Sequence, residues 1–414
     1  MKFEDYRIAE GLKKSISKLG YKKPTDIQYK SIPPILRGED VLAIAQTGTG
    51  KTAAFAIPIL HSLQERKISG RPDGVKCLVM TPTHELAIQT ESVFNKLGKH
   101  TKIDTFCIHG GVDQEPQIEQ LNKGVDVLIA TPGRMFDLVS QGALNLKRVE
   151  ILVLDEADHM LDLGFIKDIR DLMRHIPRKR QTLFFSATIN EKIKKLAYSL
   201  VTKAIRIQIA PDDPVAKNIE HAVAFIEMDD KRFFLESLIR DNIESKMLVF
   251  VRTKLRAERV KNALARVDLV SDSIHSDKVQ SYRASTMNSF RIGELKVLIA
   301  TDVGARGIDI PNVDYVVNYD LPETLENYVH RIGRTGRGSQ KGQAVSFCSP
   351  QENKFLEIIE KNLGKTIQRI AITEDDYKYT LDISEDNSQD LKSLLKEAEQ
   401  EELKHKKRRG RTKR

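Results

Sequence analysis

A chain of 414 residues is longer than the ~250–300 at which a single hydrophobic core usually stops growing, so at least two domains are expected. Its 40% hydrophobic and 30% charged residues form no apolar run near the ~18 of a membrane span, and Met1-Lys2-Phe3-Glu4-Asp5 carries no secretory signal, so a cytoplasmic protein with no membrane partner is expected. The +9 formal charge is uneven: Lys404–Arg414 holds eight Lys or Arg and no acid, leaving 59 basic against 58 acidic residues in the body.

Short β-rich apolar runs alternate with longer helical patterns, the signature of parallel sheets built from βαβ units, and the class is α/β. In chain order the expected strands are Val41–Ala45, Cys77–Thr81, Thr105–His109, Val127–Thr131, Ile151–Leu154, Thr182–Ser186 and Ile205–Ile209. A second set follows: Ala222–Ile226, Met247–Val251, Val297–Thr301, Tyr315–Asn318 and Ala344–Cys348. Between the sets, Ala210-Pro211-Asp212-Asp213-Pro214-Val215 holds two prolines that disfavour helix and ladder alike, and the hinge is placed there, over 210–217. Val127-Leu128-Ile129-Ala130-Thr131 recurs as Val297-Leu298-Ile299-Ala300-Thr301, which suggests two similar halves. After Gln368 the pattern decays into a helix expected over Asp390–Lys404, with Leu391, Leu394, Leu395 and Ala398 on one face, and then the basic tail. Cys77, Cys107 and Cys348 lie far apart in apolar runs, so they are read as reduced core residues, with no structural metal.

Ala45-Gln46-Thr47-Gly48-Thr49-Gly50-Lys51-Thr52 follows a strand and opens a helix, the context a phosphate loop requires. The glycines let backbone N–H groups converge on phosphate, Lys51 adds a point charge at the β/γ oxygens, and the Thr52 hydroxyl can ligate Mg²⁺. Four apolar residues, Ile151–Leu154, run directly into Asp155-Glu156-Ala157-Asp158. Carboxylates buried beside a parallel strand call for a cation, so Asp155 is expected to hold Mg²⁺ and Glu156 to orient and deprotonate the attacking water. The guanine-reading Asn-Lys-x-Asp pattern has no match, since Asn122-Lys123-Gly124-Val125 lacks the final acid.

Together these residues resemble the DEAD-box RNA helicases from Phe3 to about Gln368. The resemblance implies two tandem RecA-like domains, 1–209 and 218–368, each a mostly parallel sheet flanked by helices, with an extension and basic C-terminal tail over 369–414. Phe3, Gly20-Tyr21, Pro24-Thr25 and Gln28 look like the adenine-reading Q motif, which implies ATP, with Tyr21 stacking on the base and Gln28 bonding it. The family's RNA-backbone contacts map onto Thr83, His84, Gly111, Thr131, Gly133 and Arg134 in the first domain, and onto Arg252, Gln280, Arg283 and Thr301 in the second. Asp309 would touch the ribose; Asp158, Ser186, Thr188 and His330 would couple the nucleotide site to strand separation.

In His330-Arg331-Ile332-Gly333-Arg334-Thr335-Gly336-Arg337, four basic residues among glycines make little sense as core. The resemblance makes Arg334 and Arg337 arginine fingers on the γ-phosphoryl oxygens. It further implies domains that close on ATP and single-stranded or short duplex RNA together, melting short duplexes or remodelling RNA–protein complexes with little sequence preference, and ribosomal or RNA-decay proteins as candidate partners. His84 and His159 stand where relatives commonly have Arg. The runs Val125–Thr131 and Leu161–Phe165 are most similar to the bacterial RhlE-type branch. A DNA translocase and a scaffold with a vestigial ATPase are the competing classes, and the tail is read as a non-specific RNA tether.

Overall fold

The computed structural model describes residues 2–46, 48–67, 74–209, 215, 218–305, 313–336, 341–382 and 384. Thr47, Asp309, Arg337, most of the expected hinge, the expected helix over Asp390–Lys404 and the basic tail lie outside the described residues. The chain divides into two compact units, the first ending at Pro214 and the second starting at Val215.

The first unit is built on β1 (Val41–Ile44), β2 (Cys77–Met80), β3 (Thr105–Ile108), β4 (Val127–Ala130), β5 (Ile151–Leu154), β6 (Gln181–Ser186) and β7 (Ile205–Gln208). They form one parallel sheet in the order β3-β4-β2-β5-β6-β1-β7. Helices cover both faces of such a sheet, so its central strands are apolar at every position rather than at alternate ones. Successive side chains still go to opposite faces. Ala43, Val79, Ile129 and Val153 join Phe55, Phe94 and Phe185 in one core, while Leu42, Leu78, Leu128 and Leu152 join Met135 and Met160 in the other. Phe55 lies 5.1 Å from Phe185 and 6.0 Å from Phe94, ring centre to centre, and each buried ring contributes about 2–3 kcal/mol.

The second unit repeats the plan with β8 (Ile219–Phe225), β9 (Met247–Phe250), β10 (Ser271–Ile274), β11 (Val297–Ala300), β12 (Tyr315–Asn318), β13 (Gly342–Cys348) and β14 (Gln368–Arg369). Their order, β10-β11-β9-β12-β13-β8-β14, is the first sheet's order strand for strand. The repeated Val-Leu-Ile-Ala tetrapeptide is therefore β4 in one sheet and β11 in the other, at the same second place. Beyond β14, residues 374–382 are helical, and Tyr377 returns to the unit: its hydroxyl donates to Asp230 Oδ2 (2.8 Å) and its ring lies 4.8 Å from Phe234.

All three cysteines are free and buried, and burial raises each thiol's pKa, that of Cys348 to about 11. Among the described residues no helix is long and apolar enough to cross a membrane.

Candidate active site

The loop after β1 is held from two sides. Ala45 N donates to Ser186 O at the end of β6 (3.0 Å), and Thr49 Oγ1 donates to Gln46 O (2.7 Å). From upstream, Thr25 Oγ1 donates to Thr49 O (2.8 Å) and Gln28 Nε2 to Gly50 O (3.1 Å). Gly50 caps the helix Lys51–Arg66 at φ 89°, where a Cβ would come within 2.5 Å of Gln28 Nε2, so glycine is required on both conformational and steric grounds. Gln28 also accepts from Thr25 N (3.0 Å), which completes a capping box for the helix Asp26–Leu36. Its amide thus spends one N–H on the loop and one lone pair on the cap of its own helix, and keeps one of each for a base. Phe3 is buried and its ring centre lies 6.2 Å from that of Tyr21, which is exposed.

Lys51 begins the helix, is 7% exposed, and its Nζ has no hydrogen-bond partner. A buried ammonium without acceptors is costly in a finished fold. At a helix N-terminus behind a glycine loop, an incoming phosphate supplies those acceptors. Thr52 follows it, half-buried.

β5 delivers the acids. Asp155 is 2% exposed, and burial raises its pKa to about 7, with Glu156 and Asp158 adding to the rise and Lys51 opposing it. Its Oδ1 accepts from Glu156 N (3.0 Å). Glu156 itself sits at φ 51°, ψ 50°, a left-handed conformation that costs a non-glycine residue about 1–2 kcal/mol and is characteristic of working sites. A carboxyl poised to ionise and an amine with nothing to bind suit a triphosphate with its divalent cation. Asp158 makes the link to the next strand: its Oδ2 accepts from Ala187 N (3.1 Å), Thr188 N (3.0 Å) and Thr188 Oγ1 (3.2 Å). Ser186 is fully buried beside them, its Oγ without a hydrogen-bond partner.

The remaining candidates of the first unit follow other strands. Thr83 and His84 follow β2, Gly111 follows β3, and Thr131, Gly133 and Arg134 follow β4. Thr83 caps the helix His84–Gly98 by accepting from Leu86 N (3.3 Å), and the His84 ring lies 5.2 Å from that of His109. Arg134 joins two of these loops by donating to Val112 O (2.8 Å), while its other terminal nitrogen is buried with no partner. The sheet order thus splits the candidates that follow strands of this unit: the phosphate, metal and coupling candidates follow the neighbours β5-β6-β1, and the nucleic-acid candidates follow β3-β4-β2.

In the second unit the nucleic-acid candidates likewise follow neighbouring strands. Arg252 follows β9, Gln280 and Arg283 follow β10, and Thr301 follows β11, again three adjacent strands. Arg252 is held in place, with its N–H on Asp320 Oδ2 (2.9 Å) and its guanidinium reaching Glu352 Oε1 (3.3 Å) and stacked over Phe355. Gln280 opens the helix Gln280–Ile292, and Thr301 Oγ1 accepts from Gly304 N (3.1 Å). His330 and Arg334 lie at the end of the helix Leu325–Ile332, where Arg334 Nε donates to His330 O (3.2 Å).

The basic run is not foreign to the core: Arg334 is 6% exposed, and the fullest departure is Arg331. It is 3% exposed, forms a forked pair with Asp302 (2.6 and 2.8 Å), donates to Asp320 O (2.6 Å) and lies over Phe250. Full pairing is what makes a buried guanidinium tolerable. Two other residues escaped sequence reasoning. Lys231 is fully buried, which no local pattern announces, and His159 is 4% exposed although it sits in an acidic stretch.

Comparison with known proteins places the chain in a family. A family model described as DEAD/DEAH box helicase matches residues 25–196, and one described as helicase conserved C-terminal domain matches residues 230–339. The chain is 39% identical over 367 residues to the ATP-dependent RNA helicase CshA of Listeria monocytogenes, covering 89% of this chain and 70% of that one. It is 40% identical over 370 residues to the DEAD-box ATP-dependent RNA helicase RhpA of Helicobacter pylori, covering 89% and 74%. Among solved structures it is similar to S. cerevisiae Dbp5 bound to RNA and ADP BeF3, with a TM-score of 0.80, 31% identity, and coverage of 93% and 99%. It is likewise similar to the DEAD-box helicase Mss116 bound to ssRNA and UDP-BeF, with a TM-score of 0.82, 29% identity, and coverage of 92% and 81%.

Proposed function

This chain belongs to the DEAD-box ATP-dependent RNA helicases, and from that premise we propose how its own residues divide the work between ATP and RNA. The observation that carries the division is the partition of strand ends, β5-β6-β1 against β3-β4-β2, with the partnerless Lys51 ammonium on one side and a partnerless Arg134 nitrogen on the other. Tyr21, supported by Phe3, stacks on adenine, and the spare N–H and lone pair of Gln28 read its edge. The backbone of Gln46–Gly50 and the Lys51 ammonium receive the phosphates, and Asp309 receives the ribose. Thr52 and Asp155 hold Mg²⁺, which when bound supplies charge neutralisation at the phosphates. Glu156 takes the proton of the attacking water, and Arg334 with Arg337 stabilises the charge that develops on the γ-phosphoryl group.

RNA is gripped by Thr83, His84, Gly111, Thr131, Gly133 and Arg134, and by Arg252, Gln280, Arg283 and Thr301. Backbone amides, hydroxyls and guanidinium groups suit phosphates and 2′-hydroxyls rather than base edges, so short duplexes or RNA–protein complexes of many sequences are substrates. Asp158, through its three hydrogen bonds to Ala187 and Thr188, transmits the state of the acidic loop, and Ser186 and, in the second unit, His330 are the other coupling residues. The Lys404–Arg414 tail tethers RNA. A cytoplasmic location, an RhlE-type placement and ribosomal or RNA-decay partners complete the reading.

Two variants test the division. Glu156→Gln should lose turnover while keeping RNA affinity, and Arg134→Ala should weaken RNA binding while leaving the ATP dissociation constant within about twofold. Loss of both functions in both variants would contradict it.

A further inference from the structure

His159 is the least settled polar side chain near the chemistry. It is 4% exposed, and neither ring nitrogen has a hydrogen-bond partner. Its backbone is committed, with N–H on Asp158 Oδ1 (3.1 Å) and carbonyl accepting from Leu163 N (3.0 Å), so the ring cannot leave without unmaking the turn. Nδ1 lies 3.5 Å from Glu156 Oε2, three residues earlier, longer than a good hydrogen bond but within reach by a small rotation. A native fold rarely keeps an imidazole buried and unbonded, because an apolar side chain of the same size would be more stable there. A group retained at that cost next to the proposed base calls for a role in the reaction rather than in the fold.

We propose that His159 is a positioning residue for Glu156, its ring donating from Nδ1–H to Oε2 during turnover so that the other carboxylate oxygen stays aimed at the attacking water. The ring gives up no proton; it adds a fixed donor that sets which carboxylate oxygen faces the water. Glu156 already starts from a constrained left-handed backbone, so one donor suffices to fix the side chain. This rests on Glu156 being the base.

The test uses the full chain at saturating ATP and RNA, comparing His159→Leu, His159→Asn, His159→Gln, Glu156→Gln and the Glu156→Gln/His159→Leu double variant. Asn places an amide N–H near the Nδ1 position; Gln carries it out towards Nε2. His159→Leu should lower kcat about tenfold, the value of one hydrogen bond to a charged group, with ATP KM and RNA affinity within about twofold. Its melting temperature should equal or exceed that of the wild type, because two unbonded nitrogens are gone. Asn should restore kcat to within about threefold, Gln should not, and the double variant should be no slower than Glu156→Gln. Unchanged kcat in His159→Leu would overturn the proposal, as would a kcat loss that tracks a lower melting temperature and resists rescue by Asn. Full turnover in Glu156→Gln would instead remove the base assignment, and the proposal with it.

Discussion

Lys51 and Lys231 occupy the same place in two sheets of the same order: each is the first residue of the helix that follows the sixth strand, β1 in one unit and β8 in the other. Their surroundings are opposite. Lys231 is fully buried and donates to Tyr319 O (2.7 Å), Phe347 O (2.9 Å) and the Glu352 carboxylate, whereas Lys51 Nζ is buried with no partner. One position has become a rivet in the second unit and a receptor in the first. Lys231→Met removes the buried cation of the Lys231–Glu352 pair and leaves that carboxylate only the partly exposed Arg252 as an ionic partner, so it should cost up to about 3–5 kcal/mol of stability. Lys51→Met should abolish turnover while leaving the melting temperature unchanged or raised. Thermal unfolding and ATPase measured on both variants check the contrast.

Asp155 gives a pH dependence with a definite sign. Burial raises its pKa from 3.8 to about 7, so between those values the folded state holds a proton that the unfolded state has released. Stability therefore falls as pH rises across that window and levels off above it. In EDTA and without nucleotide, Asp155→Asn should raise the melting temperature at pH 8 by at least about 3 °C and have a much smaller effect near pH 4. Calorimetry at the two pH values reads the difference.

His84 should make RNA binding less dependent on salt than a permanent cation would. With its ring against His109 and its backbone at the start of the helix His84–Gly98, it can still donate to phosphate. His84→Arg should tighten RNA binding and steepen the plot of log affinity against log salt by about 0.7, the increment for one phosphate contact to a single strand. Fluorescence anisotropy across a salt series measures it, and an unchanged slope would place His84 off the RNA path.

Arg331 and Arg334, three residues apart, should fail in different ways. Arg331→Ala removes the forked pair with Asp302 and the donor to Asp320 O and opens a hole beneath Phe250, so a loss of about 3–5 kcal/mol in the second unit is expected. Arg334→Ala should instead slow turnover about 10³-fold with RNA affinity retained. Unfolding curves and single-turnover hydrolysis separate the two.

The helical and apolar periods were enough to place twelve strands, because helices on both faces force unbroken apolar runs. β10 escaped because Ser271-Asp272-Ser273 looks like a turn. At the sheet edge those polar groups are bonded by the fold, Asp272 to Lys261, Tyr282 and Thr286, and Ser273 to Glu258. β14 is only two residues, too short to show a period. The phosphate loop and the acids were legible because their chemistry is local. Arg331 was not, since its justification lies 29 residues upstream at Asp302, and the burial of His159 became visible only with the fold.

ATP turnover by Glu156 should depend on RNA held in the track beyond β3-β4-β2. Its most direct measurement is steady-state ATP hydrolysis by the purified full chain with no nucleic acid, with RNA, and with DNA of matched sequence. Hydrolysis should be slow alone, stimulated at least about tenfold by RNA and little by DNA, since 2′-hydroxyl contacts tell the two apart. Equal stimulation by DNA, or full turnover with no nucleic acid, would contradict it.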